Sequence, residues 1–364
     1  MQLTDALTTL TVALRVTKPR GDTPASNKQS GLGGTPSGGD GMFHPCEQQA
    51  RVIFLPVLQL IRNIHSLWDP AFEALSGDFQ VLLGMRRSDV SALLTGVASG
   101  MSREMTPEEL WVDRSQLWLS NLRISCYDIF DYCIRQGWPF EMPDFAETVV
   151  ATVLYGLENM ELWQLRLVLR HVVVPLARYG PREAPGIGLL EGPLTTFYST
   201  ALQVLGALWG EAQIGSAEIA VSRTRGSASM DMLEIVSNKL LKDLTADLVA
   251  HLSRVLADTT PMDGPDSAPS RVGLPITLGP IGQFVLVESA ASEPVLNILC
   301  ESLSWPSSRS AMFAADTLAN VTLVVAQAGA MDLLCGQVLP AAVSGLGVHG
   351  QHGDCQSSLL SLIA

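Results

Sequence analysis

Three residues near the end of the chain have side chains that could bind a metal ion. His349, His352 and Cys355 follow one another at steps of three in the segment VHGQHGDCQSS, and imidazole nitrogen and thiolate sulfur are ligands that zinc prefers. On a helix, steps of three rotate each side chain by about 60°, so His349 and Cys355 diverge by about 120°. The glycines between them favour a turn. We therefore predict a loop, GLGVHGQHG, and a helix starting near Asp354, with a metal-dependent enzyme built on the three residues as the less favoured alternative.

The other residues that could do chemistry do not form a catalytic pattern. Asp128 and Asp131 lie three residues apart on a predicted helix with no histidine near them in sequence, which is usual for a solvated helix face. His171 and His251 each lie alone on an amphipathic helix, where we expect packing roles. The glycine run GLGGTPSGG lacks the third glycine and the preceding strand of a nucleotide-binding fingerprint. We predict that the chain is not an enzyme and has no cofactor and no bound metal.

A local basic patch lies in the middle of the chain. Its four arginines fall within seventeen residues: Arg166, Arg170, Arg178 and Arg182. The nearest acids in sequence are Glu161 and Glu183. Guanidinium groups at fixed spacing can bind phosphates. A solvated face with ordinary surface salt bridges is the alternative interpretation.

The composition indicates a globular chain that buries much apolar surface. Of its 364 residues, 47% are hydrophobic and 16% are charged, and the formal net charge is −13. This charge argues against a self-sufficient nucleic-acid binder, because phosphate binding depends on Lys and Arg. The six cysteines include no C-x-x-C pair and are expected to be reduced and mostly buried. Polar residues, glycine and proline interrupt the apolar segment Val321 to Val348, so we predict no membrane insertion.

Apolar residues at steps of three and four predict one helix after another. Leu162 to Tyr179 carries such a stripe and ends at Gly180, with Pro175 expected to bend it. Further helices are predicted at Glu47–Leu67, Pro107–Arg135, Met142–Asn159, Pro193–Gly210, Asp231–Leu256, Glu293–Ser304, Arg309–Ala328 and Met331–Ser344. Thr106 and Pro107 have the residue types of a helix start. Only Pro275 to Val287 has the composition of a strand.

The number of helix pairs predicts an all-α fold, an α-solenoid of stacked HEAT-like antiparallel helix pairs, in preference to a bundle. We predict five segments in chain order. They are an isolated N-terminal helix (1–17), a disordered Gly/Ser/Pro-rich linker (18–45), HEAT-like repeats (46–258), a flexible loop (259–275) and C-terminal HEAT-like repeats that are truncated at the end (276–364).

Four stretches together resemble the C-terminal region of exportin-5-like nuclear export receptors, which belong to the karyopherin-β (importin-β-like) family. They are LRLVLRHVVVPLARYGPREAPGIGLLEGPLTTFY, DMLEIVSNKLLKDLTADLVAHL, LNILCESLSWPSSRS and GLGVHGQHGDCQSSL. The resemblance covers about Asp113 to Ala364, and only loosely the segment before it. It implies that HGQHGDC is a turn between the last repeats and not a set of metal ligands.

The resemblance also implies a function. Receptors of this family carry structured double-stranded RNA hairpins with a 3′ overhang, of the microRNA-precursor type, out of the nucleus together with GTP-bound Ran. They meet nuclear pore proteins and shuttle between nucleus and cytoplasm. They hold RNA by its A-form backbone, so the arginines at 166, 170, 178 and 182 become candidate RNA-backbone contacts. The main Ran-binding repeats are expected outside this chain. The alternative is a generic HEAT-repeat protein–protein scaffold without RNA or Ran binding.

Overall fold

The computed structural model of the protein describes residues 9, 47–73, 81–96, 106–223, 232–257, 278–327, 332 and 334–363. In these ranges the fold is all α-helical, and it is a solenoid of stacked HEAT-like antiparallel helix pairs, as predicted. The predicted N-terminal helix over 1–17, the linker over 18–45 and the loop over 259–275 lie outside the described residues, so these segment boundaries stay predictions.

The α-helices have the following bounds in chain order: α1 Glu47–His65, α2 Pro70–Glu73, α3 Arg87–Thr95, α4 Pro107–Gln136, α5 Phe145–Thr152, α6 Leu162–Val168, α7 Val174–Tyr179, α8 Glu191–Arg223, α9 Met232–Ala257, α10 Pro280–Gln283, α11 Ser292–Ser302, α12 Ser308–Gln327, α13 Leu339–His349 and α14 Gly353–Ile363. Three π-helical segments span Leu169–Val173, Phe284–Glu288 and Leu334–Val338. Short 3₁₀ turns span Ser66–Trp68, Trp138–Glu141, Leu157–Asn159 and Gly186–Leu190.

The longer helices form two layers. In the first layer, α1, α5, α8, α11 and α13 contact one another in that order, and in the second layer α4, α6 with α7, α9, α12 and α14 do the same. The layers meet where α1 packs on α4, α8 on α9, α11 on α12 and α13 on α14. Since α9 also contacts α10, α11 and α12, the stack continues on both sides of the predicted loop.

Local signals in the sequence explain where α4, the longest helix of the second layer, begins and ends. The Thr106 hydroxyl accepts a hydrogen bond from the backbone N–H of Glu109 at 3.2 Å, and the Glu109 carboxylate accepts one from the N–H of Thr106 at 3.1 Å. This capping box satisfies two backbone donors that a helix start leaves free. Pro107 occupies the first position, and Gly137 ends the helix with a φ of 81°, a conformation that favours glycine. The predicted start at Thr106 and Pro107 is therefore confirmed.

The predicted apolar stripes form the interface between helices. Leu165, Leu169, Val172 and Leu176 are buried along the continuous helix over residues 162–179, and the leucines at 240, 244, 248 and 252 are buried along α9. Each stripe recurs at three- and four-residue steps, so it faces the neighbouring helices of the stack. The packing agrees with the periodicity from which the helices were predicted.

Two internal prolines lie directly after a π-helical segment. Pro175 is the second residue of α7 and follows Leu169–Val173, and Pro340 is the second residue of α13 and follows Leu334–Val338. A proline has no backbone N–H and crowds the preceding turn, and the wider π-helical turn absorbs this change in the hydrogen-bond ladder. The helix over residues 162–179 therefore continues through Pro175.

Four expectations from the sequence differ from the structure, and the first is the helix predicted over Pro193–Gly210, which spans Glu191–Arg223. Pro275 to Val287 has the composition of a strand, but residues 280–288 are helical, and Phe284 and Val285 are buried there. The single helix predicted over Met142–Asn159 is wrong, because α5 is followed by a turn in which Gly156 has a φ of 65°. The helix predicted over Met331–Ser344 continues five residues further, to His349.

Two buried tyrosine–histidine pairs join the layers. The Nε2 atom of His65 on α1 lies 2.7 Å from the hydroxyl of Tyr127 on α4, and Nε2 of His251 on α9 lies 3.0 Å from the hydroxyl of Tyr198 on α8. Burial lowers the pKa of both histidines to about 3, because the imidazolium form would lose its hydration. His251 has the packing role that the sequence suggested.

Candidate functional site

The structure places the first two arginines of the basic patch against α9. Arg166 donates from Nε to Asp247 at 2.6 Å and from Nη1 to Asp243 at 2.9 Å. Arg170 donates from Nε and Nη2 to the same Oδ2 atom of Asp247, at 3.0 and 2.7 Å. Asp243 and Asp247 lie one helical turn apart, as do the two arginines. The helix over residues 162–179 is thus joined to its second-layer neighbour α9 by a cluster of four charged side chains.

The ion pairs of this cluster reduce the positive charge that Arg166 and Arg170 present to solvent. Arg166 is the least exposed of the cluster, with 21% of its side chain accessible, whereas 51% of the Arg170 side chain is accessible. Charge-assisted hydrogen bonds neutralise both guanidinium groups within the fold. The acids nearest in sequence, Glu161 and Glu183, are not the partners, because α9 brings in two aspartates from about eighty residues away.

The other two arginines lie at the end of α7. Arg178 is exposed, and its guanidinium lies 5.3 Å from the ring centroid of Tyr179. Arg182 is also exposed and donates from Nη2 to the carbonyl of Arg178 at 2.9 Å. On α4, Arg135 lies 5.1 Å from the ring centroid of Tyr179 and pairs with Asp131. The four arginines therefore form two groups with different partners, and sequence reasoning missed Arg135 as a second cation at Tyr179.

The carboxylates of α4 have partners that the sequence did not suggest. His171, on the π-helical segment, lies with its Nδ1 3.8 Å from Oδ1 of Asp128 and stacks on Tyr127 at 6.1 Å. Only 14% of the Asp128 side chain is accessible. No histidine lies near the two aspartates in sequence, but the fold brings His171 to Asp128, while Asp131 pairs with Arg135 within α4.

The segment with His349, His352 and Cys355 is a turn between α13 and α14. His349 ends α13 and is buried, Cys355 is buried in the first turn of α14, and His352 is exposed. The predicted loop is shorter than expected, because α13 continues through Gly345 and Gly347. Within the described ranges, no group of three His, Cys, Asp or Glu residues could hold a metal ion.

The close approach of α13 to α11 requires a glycine at position 345. A Cβ atom there would lie 2.6 Å from the carbonyl oxygen of Leu303 at the end of α11, which is too close for any side chain. Gly345 therefore allows α13 to approach α11 closely, whereas a Cβ at Gly347 would meet open space. The segment is a packing feature of the last two helix pairs.

Sequence reasoning also did not identify a buried arginine inside the stack. Arg123 on α4 is 2% exposed, and its guanidinium lies between the rings of Trp68 and Trp163, at 4.7 and 4.8 Å from their centroids. Two cation–π contacts stabilise a charge that has lost water. Its partners are 55 and 40 residues away in sequence, so no local pattern could have indicated this role.

Comparison with known proteins identifies the family of this stack. A family model described as Exportin-5 matches residues 10–364. The chain belongs to the Exportin-5 family. The match begins well before Asp113, so it includes the segment whose sequence resembles the family only loosely.

Curated relatives of the Exportin-5 family agree with this assignment. The chain is 26% identical to Exportin-5 of Mus musculus over 357 residues and 25% identical to Exportin-5 of Homo sapiens over 358 residues, in each case over 91% of this chain and 29% of the relative. It is 26% identical to Protein HASTY 1 of Arabidopsis thaliana over 227 residues, which is 58% of this chain and 19% of the relative. The chain thus spans less than a third of the length of these relatives.

The Exportin-5 family is a family of nuclear export receptors. None of the helices in the described ranges combines the length and the apolar character that a membrane span requires.

Proposed function

We propose that the chain forms part of a nuclear export receptor that carries structured double-stranded RNA, of the microRNA-precursor type, and other cargo out of the nucleus with GTP-bound Ran. The observation that carries this proposal is the Exportin-5 family match over residues 10–364, together with the helical stack that the described residues form. The chain would act as a non-catalytic cargo-binding scaffold, meet nuclear pore proteins and shuttle between nucleus and cytoplasm. We expect the principal contacts to Ran in regions of the longer relatives that this chain does not match.

Within this proposal the four candidate arginines do not contribute equally. Arg166 and Arg170 already donate to aspartates on α9, so a phosphate would have to displace a carboxylate to bind them. Arg178 and Arg182 are exposed at the end of α7, where a phosphate can approach from solvent. We therefore expect Arg178 and Arg182 to contribute more to RNA affinity than Arg166 and Arg170.

The test is fluorescence anisotropy of a labelled RNA hairpin with a short 3′ overhang, titrated with the chain over a range of salt concentrations. We expect R178A/R182A to weaken binding and to reduce the slope of log K against log salt by about 0.9 for each phosphate that the variant no longer neutralises. The matched control is R51A/R62A, which removes two charges from α1 in the first layer. The same titration of the full-length product of the gene, with Ran loaded with GTP or with GDP, tests whether RNA affinity depends on the nucleotide that Ran holds.

The outcomes separate the RNA proposal from the scaffold alternative. Equal decreases of affinity in R178A/R182A and R51A/R62A would mean that RNA responds only to net charge and does not contact the end of α7. RNA affinity that is undetectable at low salt, with both nucleotide states of Ran, would contradict the RNA proposal and favour a protein scaffold.

A further inference from the structure

The first half of α4 presents an unusual exposed face, which we call the α4 face. It consists of Leu110, Trp111, Arg114, Leu117 and Trp118. These residues follow a pattern of i, i+1, i+4, i+7 and i+8, so they share one side of the helix. Trp111 is 60% exposed and Trp118 is 44% exposed, and both leucines are more than a third exposed. Large apolar side chains gathered in this way mark interaction surfaces.

The opposite side of the same helical turns is already packed. Gln116 donates from Nε2 to the carbonyl of Val81 at 2.7 Å, and Asp113 pairs with Arg86 at 3.1 Å. Glu109 pairs with Arg87 at 2.8 Å. These contacts fix the rotation of α4 about its axis and hold the carboxylates of Glu109 and Asp113 on the side away from Trp111 and Trp118. The α4 face itself consists of four apolar residues and one cation.

Arg114 lies at the centre of this face. Its neighbours at i−4, i−3, i+3 and i+4 are the two leucines and the two tryptophans, which are the positions that contact a residue on a helix surface. Among the residues that the structure describes, no acidic side chain forms an ion pair with Arg114. An arginine amid apolar side chains would lose water when the face is covered, so the covering surface must supply an acceptor.

We propose that the α4 face binds a protein partner through an apolar helical segment that places one carboxylate opposite Arg114. Tryptophan and arginine are the residues that most often dominate the energy of protein interfaces, and Leu110 and Leu117 add apolar area beside them. A carboxylate matches the planar guanidinium by two parallel hydrogen bonds, which would fix the register of the partner. The inference does not depend on RNA binding.

Two other occupants fit the charges of the face less well. A second copy of the chain, docked through the same face, would bring two Arg114 side chains together with no carboxylate between them. Single-stranded RNA would need a row of cations, but this half of α4 has only Arg114 and also carries Glu108, Glu109 and Asp113. A partner with one carboxylate in an apolar stripe satisfies both the charge and the apolar area.

The probe is a phage-displayed library of helical peptides with a fixed apolar stripe and one randomised central position, selected on the full chain. We expect the selected peptides to carry Asp or Glu at the centre. Measured by fluorescence anisotropy, the affinity of a selected peptide for W118A and for R114E should each be lower than for the wild-type chain by about tenfold or more. The matched control L55A, which removes an exposed leucine from α1, should leave its affinity unchanged. A peptide with lysine at the centre should bind R114E better than the wild-type chain.

Several results would overturn the proposal. One is selection of peptides without an acidic preference, or of peptides whose affinity survives W118A while circular dichroism shows the variant folded. Another is displacement of selected peptides by a peptide of residues 1–17, which would make the chain's own N-terminal segment the occupant. Dimerisation in sedimentation that W118A abolishes would assign the face to a second copy. Tighter binding of single-stranded RNA than of any peptide, abolished by W118A, would assign it to RNA.

Discussion

Replacing His251 with glutamine should remove a measurable part of the protein's sensitivity to acid. His251 is buried on α9, its Nε2 faces the hydroxyl of Tyr198 at 3.0 Å, and Arg254 lies near enough to disfavour a positive charge. Burial is the larger cause and Arg254 the smaller one, and together they lower the pKa of His251 to about 3 from an ordinary value of 6.5. Glutamine retains a hydrogen-bonding group toward Tyr198 but cannot titrate.

The sign and the size of the effect follow from proton linkage. Above pH 6.5 His251 is neutral in both the folded and the unfolded chain, so it contributes no pH dependence. As the pH falls from 6.5 toward 3, the unfolded chain binds a proton that the folded chain excludes, and the free energy of unfolding decreases by about 1.4 kcal/mol per pH unit. Between about pH 7 and pH 5 the decrease is about 2 kcal/mol, a large share of the stability of a typical domain.

The assay is urea unfolding followed by circular dichroism at about pH 7 and pH 5, for the wild-type chain and for H251Q. The stability of the wild-type chain should fall by about 2 kcal/mol more than that of H251Q between the two pH values. The difference between the two proteins cancels the contributions of Glu161 and Glu301, whose pKa values are raised chiefly by burial. H352Q, which removes an exposed histidine, is the matched control. If H251Q and the wild-type chain show equal decreases, the folded chain must accept a proton at His251, and the argument from burial is wrong.

Three further predictions test the local arguments by urea unfolding. T106A should cost about 1 kcal/mol, because α4 loses its capping box, and T106S should restore most of it. G345A should cost about 1–3 kcal/mol through overlap with the carbonyl of Leu303, whereas G347A on the same helix should be neutral or slightly stabilising. D247N should lower stability by about 1 kcal/mol, because two arginines share this acceptor, and it should raise the affinity for the RNA hairpin; unchanged RNA affinity would mean that these arginines do not meet RNA.

The sequence predicted best the elements whose signals are local. The bounds of α4, α9, α11 and α12 lie within two residues of prediction, because caps such as Thr106 and periodic apolar stripes act over only one or two turns. The segment around Phe284 and Val285 has a strand-like composition although it is helical, because both side chains are buried and a short apolar run does not distinguish a strand from a helix. Its helical form depends on packing against α9, where a Cβ at Gly282 would lie 2.5 Å from the carbonyl of Leu256.

The candidate site was predicted less completely, since its charges pair over long distances in sequence. The arginines could be found from their spacing on one helix, but nothing local connects Arg166 with Asp247, which is 81 residues away. Likewise, the position of Arg123 between Trp68 and Trp163 depends on three separate segments. Periodicity indicates which face of a helix is buried, whereas the partner of a charged residue depends on which helices become neighbours.

The distribution of charge over the two layers matters more for an RNA ligand than the net charge of −13. In the second layer, α6 and α7 contain arginine and no acidic residue, whereas α4 contains five acidic residues and three arginines; in the first layer, α5 and α11 contain glutamates but no lysine or arginine. Packed helices lie about 8–10 Å apart, and charges in solution are screened over about 8 Å at physiological salt. A polyanion at the end of α7 would therefore be largely screened from the glutamates of α5 and α11, so an acidic chain can offer a local site where an RNA backbone meets little repulsion.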